Sequence, residues 1–464
     1  MAVKKGEVIE VAVTDMAFGG RGLAKVDGMA VFIDGAVAGD TVRARVFKKK
    51  KSFAEARTLE ILEPSENRIE PRCEYASWCG GCKWQFLDYD TQLEYKRRHV
   101  VESLEHIGNI HGVTVHPTLP SKHLFGYRNK MEFSCSDSRW LLPHELADPE
   151  IEKGLGIGLH VPGTFSKVID IKACHIQPEA GNRLLEAVRQ YIKASDLPVY
   201  GLRSHEGFWR FVMLRHSYHE DRWMVNIVTA EDRPEVVQPL ADALMEAFPE
   251  VASVVNNITS RKAGVAVGET EKLLGGEPFI TDRLGDHTFN ISANSFFQTN
   301  TPGAEALYSV VEEFAGLTGT ERVIDLYSGT GTIPIWLSKG AAEITGLEIV
   351  PSAIEDANEN CRRNGVENCR FVLGDVRKEL PDVDVKPDVM IIDPPRAGMH
   401  KEVVQRVAEL NPDRIVYVSC NPATLARDLE MLKAHYEICE VRPVDMFPHT
   451  FHIEAVARLE RRRD

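Results

Sequence analysis

Several things missing from this chain of 464 residues narrow its nature first. No apolar run approaches the roughly 18 residues that a membrane-spanning helix needs, so a membrane protein is not expected. The opening "MAVKKGEVIEVAV" has no apolar stretch leading to a small-residue cleavage site, and no secretory leader is read there. There are no internal repeats and no low-complexity tract, which sets aside solenoids and disordered linkers. Cysteine is scarce, and its count of nine is odd. That disfavours a secreted disulfide scaffold and favours reduced thiols or a metal centre in a cytosolic protein. Positive charge is also in deficit: 55 Lys and Arg face 69 Asp and Glu, a formal net charge of −14. Taken alone, that balance argues against a nucleic-acid partner.

What remains is an ordinary globular composition, 43% apolar and 27% charged with a mean hydropathy of −0.22, long enough for about two to four domains. The charge is uneven. Residues 1–60 hold 11 Lys and Arg against 8 Asp and Glu, and "RARVFKKKKSFAEAR" (43–57) interleaves its cations with Phe47 and Phe53. A charge run is more often a solvated face. The alternative is a phosphate-tracking surface with aromatics for stacking, and composition does not choose between the two.

Residues 1–62 alternate in the strand manner with Gly-rich and Asp-Gly turns, and about five short strands suit a small barrel of the OB type. Residues 63–290 mix short strands with helical pieces. Across 291–464 apolar runs alternate with helical stretches, which specifies a doubly wound α/β domain with a mainly parallel sheet. In such a sheet ligands lie beyond the carboxyl ends of the strands. Those ends read "DLYSGTGT" (Asp325–Thr332), Glu348 in "GLEIV", Asp375 in "GDV" and Asp393 in "DPPRAG". The glycine turn lacks the Lys-Ser/Thr ending of a P-loop. An acid after the second strand suits two ribose hydroxyls, and each acid taken singly is more often a helix cap. Together they resemble class I S-adenosylmethionine-dependent methyltransferases, a likeness that implies an antiparallel last strand.

Cys420 ends the next apolar run, in "RIVYVSCNPATLARDL". A cysteine there is commonly a small buried hydrophobe. If the final strand is antiparallel, however, its first residue, Glu454, lies at the same edge. A thiol and a carboxylate there fit one chemistry. Pyrimidine C5 becomes nucleophilic when a thiolate adds to C6, and a base must then remove the C5 proton so that the thiolate can leave.

"SFFQTN" (295–300), "DLYSGTGT", "DPPRAG", "VSCNPATLARD" and "MFPHTFHIE" resemble, in order, the motifs of the RNA uracil-5 methyltransferase family, and the amino-terminal module resembles a TRAM domain. The resemblance implies Cys420 as nucleophile and Glu454 as base, with S-adenosylmethionine at Gln298, Tyr327, Thr332, Glu348, Asp375 and Asp393. Asp393 is open to a uracil contact instead. It also implies that residues 85–117 pack on the catalytic domain. Departures are Tyr327-Ser328, where many relatives carry Phe-Cys, and a longer middle segment before Cys174.

"CEYASWCGGCKW" places Cys73, Cys79 and Cys82 within ten residues, a loop suited to a metal centre. Spacing leaves zinc and an iron–sulfur cluster both open, and it does not identify the fourth ligand. The chain is similar to the members of the family that carry a [4Fe-4S] cluster, and that likeness implies Cys174 in "IKACHIQ" as the fourth. Cys135 competes for the place, and Cys361, Cys369 and Cys439 read as packing residues. The substrate implied is RNA, with the target uridine flipped from its stack. A TRAM-like module with a cysteine cluster points to large-subunit ribosomal RNA, with transfer RNA second, and the enzyme is expected to be a cytoplasmic monomer. The run 43–57 then becomes an RNA-holding surface, with Arg128, Lys130 and Arg215 as weaker phosphate contacts. Rival readings are an exocyclic-amine methyltransferase and a non-catalytic, redox-sensing RNA binder.

Overall fold

The computed structural model describes residues 3–262, 264, 266–380 and 386–463. Its strands form three sheets and a separate hairpin. The first sheet takes six strands from residues 8–63, one more than the sequence reading. The extra one, Asp15–Ala17, is three residues long and pairs with Arg21–Val26. Three residues are too few to show a two-residue period, so the pattern misses it. The sheet folds around small side chains: Ala24, Ala44, Ala54 and Ala56 lie among Val31, Ile33 and Val46.

The second sheet has seven strands, from Lys130–Ser136 to Thr270–Gly276. Helices Glu179–Ala194 and Pro234–Ala247 cover the face that carries Phe133, Val212 and Leu214. Strand side chains alternate, so Ser134 and its cross-strand partner Phe211 look out from the other face.

The third sheet runs Cys369–Leu373, Glu343–Glu348, Arg322–Leu326, Val389–Ile392, Arg414–Ser419, Glu454–Arg461, Tyr436–Val444, Thr114–Val115. Its first five strands are parallel, and Glu454–Arg461 is antiparallel to both neighbours. The hairpin Phe279–Leu284/His287–Ser292 shares the apolar core of this sheet through Ile280, Leu284, Phe289 and Ile291.

A distant part of the chain completes the third sheet. Thr114–Val115 adds an edge strand beside Tyr436–Val444, and helix Tyr89–His106 buries Val100 and Leu104 among Leu425, Ala426 and Leu429 of helix Pro422–Leu432. Between them Lys96 and Asp445 form an ion pair of 2.5 Å with both side chains fully buried. Lys96 Nζ also donates to the Phe447 carbonyl at 3.1 Å, and the Tyr89 hydroxyl donates to Asp445 at 2.9 Å. The turn leading into Glu454 is held further by Trp84 N–H to the His449 carbonyl (2.9 Å) and Tyr127 hydroxyl to the Pro448 carbonyl (3.0 Å). Removing one partner of a buried pair leaves an uncompensated charge, so Lys96→Met is expected to cost about 3–5 kcal/mol in urea unfolding. Among the described residues no helix is long and apolar enough to cross a membrane.

Candidate active site

The carboxyl ends of the parallel strands gather the acids read from the sequence. After Arg322–Leu326 the chain turns through Tyr327 at φ 67, Gly329 at φ 52 and Gly331 at φ 77. A Cβ at Gly331 would lie 2.8 Å from the Phe371 ring, so glycine is required both by conformation and by space. Glu348 is fixed by three backbone donors: Gly329 N–H at 3.0 Å, Ile349 N–H at 2.8 Å and Val350 N–H at 2.9 Å. This aims its carboxylate at the glycine turn. Asp375 caps helix Val376–Glu379 and pairs with Arg377, whose cation draws its carboxyl down to about 2. The Thr332 hydroxyl meets the Tyr308 hydroxyl at 2.8 Å, and the Gln298 side chain reaches the same phenol.

Two groups at this edge are unspent. Asp325 Oδ1 and Ser328 Oγ are buried without a hydrogen-bond partner among the described residues. Burial, reinforced by Asp393 and Glu348, pushes the Asp325 carboxyl well above its ordinary range. Buried polar atoms are rarely left unpaired, so these fit an edge built to receive a polar ligand such as a nucleoside.

Ser419 stands opposite Ala455 across the antiparallel pair, which brings Cys420 and Glu454 to one end of two adjacent strands. Cys420 lies just before Asn421, whose side chain caps helix Pro422–Leu432. Burial, together with the charges of Glu454 and Asp393, pushes its thiol up to about 11, against a lowering pull from Arg396. Burial and Asp393 likewise hold Glu454 well above the usual carboxylate range, again opposed by Arg396. Asp393 is pushed up to about 7 by desolvation. The site is therefore a cluster of acids whose charged forms are costly, with Arg396 the cation facing both the thiol and the base. His452 beside it is pushed down to about 4 by burial and by cations including Arg396, and stays neutral near pH 7.

Sequence reading missed Tyr308, Arg396 and Lys96. Arg396 lay inside the "DPPRAG" motif already read as functional, whereas Tyr308 and Lys96 sit on helices with no local signal. Arg215 corrects an expectation. It is buried, and its guanidinium donates to the Ala293 and Ser295 carbonyls, so it supports the loop leading to Gln298 and does not face phosphate from the surface. In the run 43–57, Arg43 is engaged by Glu10 and Glu60 and Lys48 by Glu55, while Lys49, Lys50 and Lys51 are exposed beside the exposed Phe47.

Cys73, Cys79, Cys82 and Cys174 line one small cavity with Ile171 and Ile176. Burial pushes Cys79 up to about 12 and Cys174 to about 11, and raises Cys73 and Cys82 as well. Among the described residues no group of three or more His, Cys, Asp or Glu side chains is placed to hold a metal ion. Four thiols around one desolvated space nevertheless fit a thiolate-bound metal centre by their chemistry, since metal binding displaces the protons that burial retains. Cys135 lies in the interior of strand Lys130–Ser136, away from that lining.

Comparison with known proteins agrees with this geometry. A family model described as tRNA (Uracil-5-)-methyltransferase matches residues 257–462, and one for the TRAM domain matches residues 2–59. An RNA methyltransferase of Chlorobaculum tepidum is 43% identical, covering 99% of this chain and 97% of its own. One of Halalkalibacterium halodurans is 40% identical over 99% and 98%. Among solved structures, the Pyrococcus abyssi tRNA (uracil-54, C5)-methyltransferase in complex with S-adenosyl-L-homocysteine is similar with a TM-score of 0.76 and 31% identity, covering 97% of this chain and all of its own. With an antiparallel last strand, an acid-lined strand edge and relatives matched end to end, this chain belongs to the RNA uracil-5 methyltransferase family and is an S-adenosylmethionine-dependent enzyme.

Proposed function

We propose that the enzyme methylates C5 of a uridine in RNA through a covalent Cys420–C6 adduct, with Glu454 as the base. The observation that carries the reading is the pairing of Ser419 with Ala455, which brings Cys420 and Glu454 to one end of two adjacent strands. S-adenosylmethionine supplies the electrophilic methyl group. Gln298, Tyr327, Thr332, Glu348 and Asp375 would hold it along the strand ends, and Asp393 would contact either the cofactor or the uracil. The Cys420 thiolate forms a bond to C6, and the electron pair displaced onto C5 takes the methyl as its bond to the sulfonium sulfur breaks, leaving S-adenosylhomocysteine. Glu454 then removes the C5 proton, the C5–C6 double bond returns and the thiolate leaves. Burial makes Glu454 a stronger base than an exposed carboxylate, which suits a proton held by carbon.

Fluorine at C5 does not leave as a cation, so RNA containing 5-fluorouridine tests this directly. A covalent protein–RNA band on a denaturing gel, formed only with S-adenosylmethionine, is expected; no band with cofactor bound would favour amine methylation instead. Band formation should also depend on pH. A thiol held near 11 is mostly protonated at neutral pH, so raising the pH supplies thiolate and the initial rate should climb up to tenfold per unit between about pH 7 and 9.

The TRAM-like barrel (1–62) and the cysteine-bearing central domain (63–290) support large-subunit ribosomal RNA as substrate, handled by the exposed lysines at 49–51. The end-to-end likeness to a tRNA uracil-54 enzyme supports transfer RNA as a second reading. Trapping with each transcript decides between them. Cys73, Cys79, Cys82 and Cys174 would hold a [4Fe-4S] cluster that stabilises the loop and takes no part in methyl transfer. Anaerobically purified protein should contain iron and acid-labile sulfide in equal amounts, and Cys174→Ser should lose both. Zinc in their place would overturn the assignment.

A further inference from the structure

The central domain carries a groove that the catalytic site does not use. A cavity of about 460 Å³ beyond the end of strand Lys130–Ser136 and one of about 270 Å³ on the sheet face opposite the two helices share Leu202 as a common wall. The larger is of the size that accepts a small ligand such as one nucleotide. The first is lined by Arg139, Lys153, Lys167 and Arg203, with Asp137 the sole acid of its lining. The second adds Arg210 and Lys262 and no acid. In a chain of net charge −14 this concentration of cations stands apart. Arg139 is paired with Glu145 at 2.7 Å, whereas Lys153, Lys167, Arg203 and Lys262 are exposed. Arg203 donates to the Ser166 hydroxyl at 3.3 Å.

Aromatic surface accompanies the charge. Phe165 is 70% exposed at the mouth of the second cavity, an unusual position for so large an apolar ring. Behind it the Arg210 guanidinium lies 4.2 Å from the Tyr200 ring centroid, and the His205 ring stands beside Tyr200 at 6.2 Å. Cations that track a backbone, next to a ring open for stacking, are the two parts of a single-stranded nucleic-acid site. Ser138, Ser166 and Ser204 add hydroxyls that donate to phosphate or to a base edge. The Cys79–Cys82 loop supports this wall: Gly80 N–H donates to the His160 carbonyl at 3.0 Å, and Trp78 packs against Trp140.

We propose that this groove binds a single-stranded stretch of the RNA substrate outside the catalytic cleft, with phosphates on Lys153, Lys167 and Arg203 and one base stacked on Phe165. The proposal rests on the reading of the substrate as RNA. It also assigns the cysteine loop a task, that of holding the groove's back wall.

The test measures fluorescence anisotropy of labelled oligouridylate with the full chain, alongside polyglutamate and an RNA duplex. Phe165→Ala should weaken oligouridylate binding about tenfold while Phe165→Trp restores it. Lys167→Ala with Arg203→Ala should weaken it as well and lower the salt slope by about 0.7 for each phosphate no longer neutralised. All three variants should melt at the wild-type temperature. Phe165→Ala and the double variant should raise KM for the RNA substrate and leave kcat and S-adenosylmethionine affinity unchanged. Wild-type oligouridylate binding by both Phe165→Ala and the double variant overturns the groove, and so does a loss confined to polyglutamate, which would make the partner an acidic peptide. Because binding is read without methyl transfer, a wild-type protein that methylates no uridine yet shows these losses refutes the catalytic reading and leaves the groove standing.

Discussion

Cys420→Ala is expected to reduce methyl transfer by a factor on the order of 10⁴ or more, the scale of removing a covalent nucleophile from a site that otherwise stays intact. S-adenosylmethionine binding should persist, because Glu348 is fixed by its own loop and the glycine turn lies on a different strand. Cys420 is half-buried and caps nothing, and the helix after it starts from Asn421, so the substitution should leave folding untouched. Calorimetric titration of the cofactor beside a tritium-release assay at uridine C5 separates the two effects. Retained activity would return Cys420 to the role of a packing residue.

Glu454→Gln is the second large effect and it differs in kind. Loss of a positioned base costs roughly 10²–10⁴-fold in turnover. The first half of the reaction is spared, so the methylated adduct should accumulate on ordinary uridine, with no fluorine needed, and appear as a shifted band on a denaturing gel. The charge of Glu454 is one of the influences that raise the Cys420 thiol. Removing that charge lowers the thiol's pKa and makes thiolate more abundant at a given pH, so the adduct should form at lower pH than in the wild type. A variant that neither turns over nor accumulates adduct would place Glu454 before the covalent step.

The catalytic half of this fold is legible in the sequence because parallel strands are continuous apolar runs that end abruptly. Asp325, Glu348, Asp393 and Cys420 each follow such a run, and the run fixes the edge they share. Glu454 required one further step, the reversed direction of its strand. Less legible were residues whose partners lie far along the chain. Lys96 reads as a surface lysine on an amphipathic helix, and only its pairing with Asp445, 349 positions away, shows it buried. Arg215 sits in a strand with polar neighbours and reads as a surface cation, because spacing within a strand does not say what covers its far face. Tyr308 has the pattern of a core aromatic, and only its hydroxyl, turned to Thr332, ties it to the site.

The position of the last strand also governs the order in which this protein becomes an enzyme. Strand Glu454–Arg461 lies between Arg414–Ser419 and Tyr436–Val444, and carries the base as its first residue. During synthesis the barrel and the central sheet are complete by residue 276 and free to fold as they emerge. The catalytic sheet then waits with one edge unpaired until residue 461 has left the ribosome. A nascent or prematurely terminated chain therefore holds a folded barrel and central sheet before it has any chemistry.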